Sequence, residues 1–487
     1  MCNPINKENL LLERLIRYSN RGYYPFHMPG HKRQNNLGFL KEFPNPYAID
    51  ITEIHGFDNL HNPKGILKES MEWAAQVYGA DKTYYLVNGS SCGILSAISA
   101  VTHSGGKLLI GRNCHKSAYH GAILKQCKTV YVYPPFVGHW GINGGILAED
   151  VKRLLEENPD TEAVIIVSPT YEGVVSDIEK IAQVIHKKNI PLIVDEAHGA
   201  HFPFSGIFPK PALECGADIV VQSLHKTAPS LTQTALLHVK GELVDLEKLE
   251  RYLQMYQSSS PSYVFMASIE RCIYEMWEKG EEYFKTYASW LNVCRKKLAC
   301  MKHLKLLDDS LHGQWGIHGL DPSKIVVSCG DSSLKGTDLD QMLREKYHLE
   351  MEMCGVDYVT AITTLFDTKE GLQRLAEAFY GIDRTIMAGN RETVVWEHKT
   401  WAKTTLAHAI DAPYERIPIA DCVERVSAEF IYLYPPGIPI IAPGELITRQ
   451  IIGQVIQYRQ MGLPVQGMAD KEAEYLRVIT DTGANHG

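Results

Sequence analysis

Between about residues 83 and 240, short runs of β-branched and aliphatic residues alternate with segments whose apolar positions recur at helical spacing. The runs predict strands over Thr83–Val87, Lys107–Ile110, Thr129–Tyr133, Ala163–Val167, Leu192–Asp195, Ile219–Gln222 and Ala235–Val239. The segments between them predict helices, most clearly over Ile94–Val101, Ala148–Glu157 and Asp177–Lys188. Apolar strands that alternate with amphipathic helices indicate an α/β fold with a large, doubly wound, mostly parallel sheet.

The segments on either side of this sheet have other patterns. Residues 7–18 predict an amphipathic helix, and Pro25–Lys64 is a loop-like stretch rich in Gly, Pro and His. Residues 241–305 look helical, and a smaller α/β unit follows, with a strand over Ile325–Ser328 and a helix over Gly371–Gly381. We therefore expect four parts: an N-terminal arm with linker and dimer contacts (1–75), a large domain (76–305), a small α/β domain (306–390) and a C-terminal region (391–487).

Composition and charge narrow the class of protein. The 487 residues carry 49 Lys and Arg against 57 Asp and Glu, a net charge of −8, which argues against a nucleic-acid binder. Eleven scattered cysteines without metal-site spacing suit reduced thiols, and no stretch is apolar enough for a signal peptide or a membrane span. The sequence predicts a cytoplasmic protein with neither nucleic-acid nor membrane partners.

A polar motif follows the first predicted strand, at the start of a helix: Asn88-Gly89-Ser90-Ser91-Cys92-Gly93. Backbone N–H groups and two hydroxyls that converge at a helix N-terminus form an anion site suited to phosphate. The alternative is a helix cap without a ligand, because serine is a common capping residue.

A second motif ends the strand Leu192–Asp195 and continues Glu196-Ala197-His198-Gly199-Ala200-His201. Asp-Glu-Ala-His also occurs in helicases, but the upstream Gly105-Gly106-Lys107-Leu108 lacks the first glycine and the Ser/Thr of a phosphate loop. A metal site using Asp195, His198 and His201 has no further ligand pattern to support it. The remaining interpretation is a functional carboxylate at the strand end that pairs with a protonated ring nitrogen.

The third motif is Gln222-Ser223-Leu224-His225-Lys226-Thr227, again at the end of a strand. Most lysines lie on the surface, but this one follows an apolar strand, where burial would lower its pKa. A lowered pKa is what a lysine nucleophile that forms a Schiff base requires. Ser223 and His225 are placed to add phosphate contacts.

The order of these motifs is more specific than any one of them. A phosphate-type helix start is followed by His115, which could stack on a planar cofactor or be an ordinary loop histidine. Asp195 and then Lys226 come after it, all at one edge of the predicted sheet. This arrangement is typical of a pyridoxal 5'-phosphate (PLP) site without a metal, in which the protein positions the cofactor and tunes its electronics.

At these residues the sequence resembles the bacterial Orn/Lys/Arg decarboxylases, which have the aminotransferase-like fold of PLP enzymes, fold type I. Five pieces carry the resemblance: Phe26-His27-Met28-Pro29-Gly30-His31-Lys32, Arg112-Asn113-Cys114-His115-Lys116-Ser117, Val194-Asp195-Glu196-Ala197-His198-Gly199, Ser223-Leu224-His225-Lys226, and Tyr434-Pro435-Pro436-Gly437-Ile438-Pro439 with Ala442-Pro443-Gly444-Glu445. The layout is similar to the short members, typified by biosynthetic arginine decarboxylase, without the N-terminal wing domain of the long members. The resemblance implies a large PLP-binding domain, a C-terminal decarboxylase region and a homodimer or higher homo-oligomer.

The resemblance also implies roles for single residues. Lys226 would hold the cofactor as a Schiff base, Asp195 would pair with the ring nitrogen and His115 would stack on the ring. His198 is a candidate for contacting the substrate carboxylate or a proton, and Glu445 resembles a glutamate that binds the substrate's distal cationic group. The phosphate contacts would come from Ser90, Ser91, Ser223 and His225, with Cys92 able to contribute its backbone N–H.

Decarboxylation of a basic amino acid is therefore the predicted activity, with arginine first, lysine second and ornithine third as substrate. An aminotransferase-like PLP enzyme would share Lys226 and Asp195, although no arginine for a second substrate carboxylate can be placed from the sequence. A PLP-binding regulator would need a DNA-binding module, and no such segment is evident.

Overall fold

The computed structural model describes residues 20–34, 44–389 and 399–480, so the helix predicted over residues 7–18 lies outside the described residues. The strands are β1 (Tyr24–Phe26), β2 (Lys82–Leu86), β3 (Lys107–Gly111), β4 (Lys128–Val132), β5 (Phe136–Val137), β6 (Ile142–Asn143), β7 (Thr161–Val167), β8 (Val174–Val175), β9 (Leu192–Asp195), β10 (Ile219–Gln222), β11 (Ala235–Val239), β12 (Lys305–Leu306), β13 (Gly319–Leu320), β14 (Lys324–Ser328), β15 (Leu349–Met351), β16 (Met353–Cys354), β17 (Tyr358–Ile362), β18 (Tyr414–Pro418), β19 (Ile431–Leu433), β20 (Ile438–Ile441), β21 (Val465–Gln466) and β22 (Tyr475–Ile479). The α-helices are α1 (Pro46–Ile49), α2 (Ile66–Tyr78), α3 (Gly89–Val101), α4 (Lys116–Leu124), α5 (Ala148–Glu157), α6 (Ile178–His186), α7 (Leu224–Thr227), α8 (Leu246–Tyr256), α9 (Tyr263–Leu298), α10 (Gly336–Tyr347), α11 (Lys369–Asp383), α12 (Leu406–Asp411) and α13 (Arg449–Gln460).

Seven strands form the main sheet, in the order β2-β11-β10-β9-β7-β3-β4. The strand β11 pairs antiparallel with both neighbours, and the other ladders are parallel. Nearly every position of β7, β9, β10 and β11 is buried, as expected for strands covered by helices on both faces. The α/β fold class and the mostly parallel sheet predicted from the sequence are confirmed.

The helices that cover this sheet bury one apolar face each. In α5 the buried positions are Ala148, Val151 and Leu155, which recur at the spacing of one helical face. The helix α3 begins five residues before the predicted Ile94, at Gly89, which has a positive φ of 77°. Its first turn is polar, so the spacing of apolar residues, on which the prediction was based, did not extend the helix to that turn.

A smaller antiparallel sheet, β12-β14-β17-β16, follows the main one in the chain. The long helix α9 packs along α11, beside this sheet. The C-terminal part contains the small sheet β20-β19-β21, the pair β18-β22 and the helix α13. These elements agree with the predicted order of units, whereas the predicted domain limits stay a prediction.

The segment that contains Gly30 crosses from the large sheet to the small one. The backbone N–H of Gly30 donates to the carbonyl of His225 at 2.8 Å, and the Thr364 hydroxyl donates to the Gly30 carbonyl, also at 2.8 Å. A Cβ at position 30 would lie 2.7 Å from the carbonyl oxygen of Ala228, so only glycine fits there. We call residues 26–32 the crossing segment.

Within the described ranges, the longest apolar stretches of helix fall short of what a membrane span needs.

Candidate active site

The predicted site residues meet at one edge of the main sheet. The last residues of the parallel strands β7 and β9, Val167 and Asp195, are opposite each other, and Asp195 is also opposite Val221, one residue before the end of β10. The antiparallel strand β11 begins where β2 ends, with Ala235 opposite Leu86. The segments that follow β2, β9 and β10 therefore leave the sheet together, as expected for a ligand site of an α/β protein.

Lys226 lies half-buried at this edge, in the short helix α7. Its Nζ lies 3.0 Å from Nε2 of His198 and 5.7 Å from the centre of the Tyr171 ring. Burial lowers the pKa of Lys226, and the nearby Lys324 adds to this effect, while Asp195 and Glu352 act in the opposite direction. The structure thus places the lysine where its neutral, nucleophilic form is favoured.

His198 lies directly against this amine. Burial, and then the charge of Lys226, hold the pKa of His198 well below its usual value, so the imidazole is neutral. Its ring packs on that of Tyr171, with 4.4 Å between centres, and its buried Nδ1 has no hydrogen-bond partner among the described residues. His201 instead lies 3.4 Å from Asp321, so the two histidines of this motif face different partners.

Asp195 is buried at the end of β9. Burial raises the pKa of its carboxyl group, and the charge of Lys226 and the backbone N–H of Ala197 oppose the rise. Oδ1 accepts from that N–H at 3.2 Å. The carboxylate therefore depends on a nearby positive charge to remain ionised in this environment.

The phosphate-type residues lie around the N-terminus of α3 and the loop before β11. Gln233 donates to the carbonyl of Val87 at 2.7 Å, and Nδ1 of His225 donates to the carbonyl of the next residue, Thr234, at 2.9 Å. The Ser223 hydroxyl is fully buried and has no partner among the described residues. Burial lowers the pKa of His225 to about 4, so its ring is neutral.

Around that helix start, the three residues predicted to contact phosphate differ in exposure. Ser91 is exposed and Ser90 is half-buried, whereas Cys92 is buried and its thiol donates to the carbonyl of Gly89 at 3.0 Å. Burial raises the pKa of Cys92 to about 12, so it stays a thiol. Its contribution to an anion site would therefore be its backbone N–H.

His115 caps the N-terminus of α4 and is half-buried. Its Nδ1 accepts from the backbone N–H of Ser117 at 3.2 Å, and burial lowers its pKa to about 3. A Cβ at Gly437 would lie 3.2 Å from this ring, so the loop Tyr434–Gly437 packs against it. The structure thus presents His115 as a neutral ring held from one side.

Glu445 is 0% exposed and already paired within the chain. Oε2 lies 3.2 Å from the guanidinium of Arg112 and accepts from the backbone N–H of Ala442 at 2.8 Å, while Oε1 accepts from the Thr400 hydroxyl at 2.9 Å. The role of Glu445 in binding the substrate stays a prediction. The contacts observed attach the C-terminal region to the residue that follows β3.

Two further residues near Lys226, Tyr171 and Glu352, were missed from the sequence, and Lys32 stood in a motif of the resemblance without an assigned role. The hydroxyl of Tyr171 donates to Glu352 at 2.6 Å, and Glu352 also accepts from the backbone N–H of Met28 at 2.9 Å. Lys32 is buried and lies 4.0 Å from Asp367. Tyr171 follows β7 at the sheet edge and could have been found by the strand-end rule, whereas Glu352 directly precedes β16 of the small sheet and carries no such signal.

These residues fit a cofactor with an aldehyde, a ring nitrogen and a phosphate. The amine of Lys226, whose pKa is lowered, the buried carboxyl group of Asp195 and the unpartnered hydroxyl of Ser223 are the three kinds of group that such a molecule requires. Within the described residues no cluster of His, Cys, Asp and Glu side chains is arranged to bind a metal ion.

Two family models match the chain: the major domain of Orn/Lys/Arg decarboxylases over residues 10–326, and their C-terminal domain over residues 391–464. An arginine decarboxylase of Bacillus subtilis is 33% identical over 98% of this chain and 99% of its own length. The inducible lysine decarboxylase of Escherichia coli is 24% identical over 93% of this chain and 76% of its own. The solved lysine decarboxylase of Francisella novicida superposes with a TM-score of 0.76 at 19% identity, covering 96% of this chain and 80% of that one, which shows a shared fold.

Proposed function

The chain belongs to the Orn/Lys/Arg decarboxylase family, whose members are PLP-dependent enzymes, and from this premise we propose that it converts arginine to agmatine and carbon dioxide. The observation that carries the choice of arginine is the similarity to arginine decarboxylases over nearly the full length of both chains. Lysine is the second candidate, because lysine decarboxylases share the fold and a lower level of identity.

We propose that Lys226 is the residue that bonds to PLP and that Asp195 holds the charge of its ring nitrogen. Support comes from the half-buried amine and the buried carboxylate, which follow adjacent strands of the sheet. His115 would cover one face of the ring. The phosphate would be held by the hydroxyls of Ser90, Ser91 and Ser223, the ring of His225 and the backbone N–H of Cys92.

The chemistry that PLP supplies when bound is to withdraw the electron pair left behind as carbon dioxide departs. The chain's own residues would control charge and protons around it. The negative charge of Asp195 favours the protonated state of the group it faces, by the attraction of opposite charges. Lys226 and His198, 3.0 Å apart, would hold the proton that the substrate carbon takes up at the end of the reaction.

The decisive experiment is incubation of the purified protein and PLP with arginine, lysine and ornithine in separate reactions. We expect carbon dioxide and agmatine from arginine, at a higher kcat/KM than for the other two amino acids. Cadaverine or putrescine as the main product would overturn the choice of substrate. A keto acid would overturn decarboxylation itself and indicate an aminotransferase.

We also propose a cytoplasmic homodimer or higher homo-oligomer as the working form. The ten cysteines in the described part of the chain are free thiols, which suits a reducing compartment. Light scattering during gel filtration measures the mass directly, and a monomer at micromolar concentration would contradict the oligomer.

A further inference from the structure

A cavity of about 250 Å³ borders the candidate active site. Its lining includes Asn113, two positions before His115, and Glu172, which follows Tyr171. It also includes Pro436, from the loop that packs against His115. The cavity is smaller than the roughly 300–1,000 Å³ of a site for a drug-sized molecule, and its size suits the end of one amino-acid side chain.

Glu172 brings a carboxylate to this cavity without a matching positive charge. The residue is 6% exposed, and the Tyr358 hydroxyl donates to Oε1 at 2.9 Å. Burial raises its pKa, and the hydrogen bonds that oppose the rise come from uncharged groups, Tyr358, Thr170 and its own backbone. Within the described ranges no cationic side chain forms an ion pair with it, so a cationic ligand would stabilise the ionised form.

Two more acceptors in the lining are unsatisfied. Oδ1 of Asn113 and Oε1 of Gln454 are buried and have no hydrogen-bond partner among the described residues. Both residues are more than nine-tenths buried, and both line the cavity. Buried acceptors without donors are costly, so these two oxygens indicate a ligand that carries several N–H groups.

The positive charges around the cavity do not compete for Glu172. Arg112 is in the lining, but its guanidinium pairs with Glu445 and donates to the Tyr119 hydroxyl at 2.8 Å. Lys399 is also in the lining and is exposed to solvent. The carboxylate of Glu445 is engaged by three donors, which leaves Glu172 as the carboxylate of this cavity without a cation.

We propose that the cavity receives the guanidinium end of the substrate and that Glu172 is the carboxylate that pairs with it. The proposal rests on the proposed function and names the residue that recognises the side chain. A guanidinium is planar and carries five N–H donors, which suits acceptors on several walls, whereas an ammonium has three. The aromatic side chains of Tyr133, Phe136, Tyr358 and Tyr458 complete the lining, and aromatic surfaces favour guanidinium.

The test is the Glu172→Gln variant, which keeps the size of the side chain and removes its charge. We expect the KM for arginine to rise by about 10- to 100-fold, the range for losing a charged hydrogen-bond partner, with a smaller change in kcat. Agmatine binding, measured by calorimetry without turnover, should weaken by a similar factor. Inhibition by citrulline, which carries an uncharged ureido group of nearly the same shape, should change by less than about threefold.

A second variant separates recognition from a purely structural role. Gln454→Glu returns a negative charge to another wall of the cavity, so Glu172→Gln/Gln454→Glu should recover part of the lost affinity for arginine. Glu156→Gln, on the exposed face of α5, is the matched control and should behave like wild type. Circular dichroism and the absorbance of bound PLP confirm that each variant is folded and loaded.

Three results would overturn the proposal. The first is a KM for arginine in Glu172→Gln within twofold of wild type, and the second is an equal loss of arginine, agmatine and citrulline binding. The third is a loss of discrimination between arginine and citrulline in Glu445→Gln but not in Glu172→Gln, which would place the guanidinium at Glu445. Wild-type protein that forms no agmatine would refute the proposed function instead, so the two failures are distinguishable.

Discussion

Replacing Arg112 by methionine tests how the C-terminal region is held on the main sheet. Methionine keeps much of the buried volume but removes the partner of Glu445, which is 0% exposed. Burial alone would lower the pKa of Arg112, but Glu445 and the surrounding tyrosines raise it above its usual value, so the guanidinium stays charged. Glu445 would retain two uncharged donors, the Thr400 hydroxyl and the backbone N–H of Ala442.

The magnitude follows from the cost of leaving a buried charge without its partner, about 3–5 kcal/mol. The entropy of unfolding near Tm is about 2.1 cal/mol/K per residue, which for 487 residues gives roughly 1 kcal/mol/K if the protein unfolds as one unit. We therefore expect Tm to fall by about 3–5 °C. The double variant Arg112→Met/Glu445→Gln removes both charges and should recover most of this loss.

Differential scanning calorimetry of the wild type, both single variants and the double variant measures the coupling as a double-mutant cycle. Arg153→Met, in an exposed ion pair on α5, is the control and should leave Tm unchanged. Additive losses in the double variant, or a fall below about 1 °C in Arg112→Met, would refute the idea that this ion pair anchors the region.

Three further predictions address the candidate site and its surroundings. Lys226→Ala should lose all turnover, and borohydride treatment should no longer fix PLP to the protein, as detected by mass spectrometry. The control Lys180→Ala, which removes an exposed lysine, should keep both properties. A PLP adduct trapped in Lys226→Ala would show that another amine binds PLP. The charge of Asp195 raises the pKa of Lys226, so this pKa should be lower in Asp195→Asn. When cofactor-free protein is mixed with saturating PLP at a series of pH values, the midpoint of the pH dependence of PLP binding should therefore lie lower in the variant than in the wild type. A higher midpoint would contradict this reasoning. Burial lowers the pKa of His238 to about 3, so between pH 6.5 and about 3 its ring binds a proton in the unfolded chain and not in the folded one. The wild type should therefore lose free energy of unfolding relative to His238→Gln as the pH falls below 6.5, by up to about 1.4 kcal/mol per pH unit. Urea unfolding of both proteins at pH 7 and pH 5 measures this change. A difference that stays constant between the two pH values would be evidence against a buried neutral ring.

The main sheet could be predicted from the sequence because its strands are continuously apolar. The strands predicted at Leu192–Asp195, Ile219–Gln222 and Ala235–Val239 have the bounds that the structure shows. The antiparallel direction of β11 could not be predicted, because an apolar strand has the same pattern in either direction. The bounds of β2 differ by one residue at each end, because an exposed Lys82 begins a strand whose apolar run starts later.

Within the candidate site, the strand-end rule pointed to Asp195 and Lys226, and the structure places both at the ends of neighbouring buried strands, while their roles stay a prediction. The same rule applies to Tyr171 and Glu172 after β7, but a tyrosine beside a glutamate matches no recognised motif, so neither residue was singled out. Glu352 reaches Lys226 from the small sheet, more than 120 residues later in the chain, so only the packing of the two sheets brings it there. The pairing of Glu445 with Arg112 has the same origin, since 333 positions separate them.

The contacts of the crossing segment constrain the order in which parts of the fold can form during synthesis. Gly30 accepts a hydrogen bond from Thr364, 334 positions later, and Lys32 donates to the carbonyl of Ile362, 330 positions later. During synthesis this segment leaves the ribosome about 330 residues before these partners, and it acquires them only after residue 364 has followed. Contacts between such distant parts of a chain form late, so the backbone beside Lys226 gains this support only after the small sheet has been synthesised.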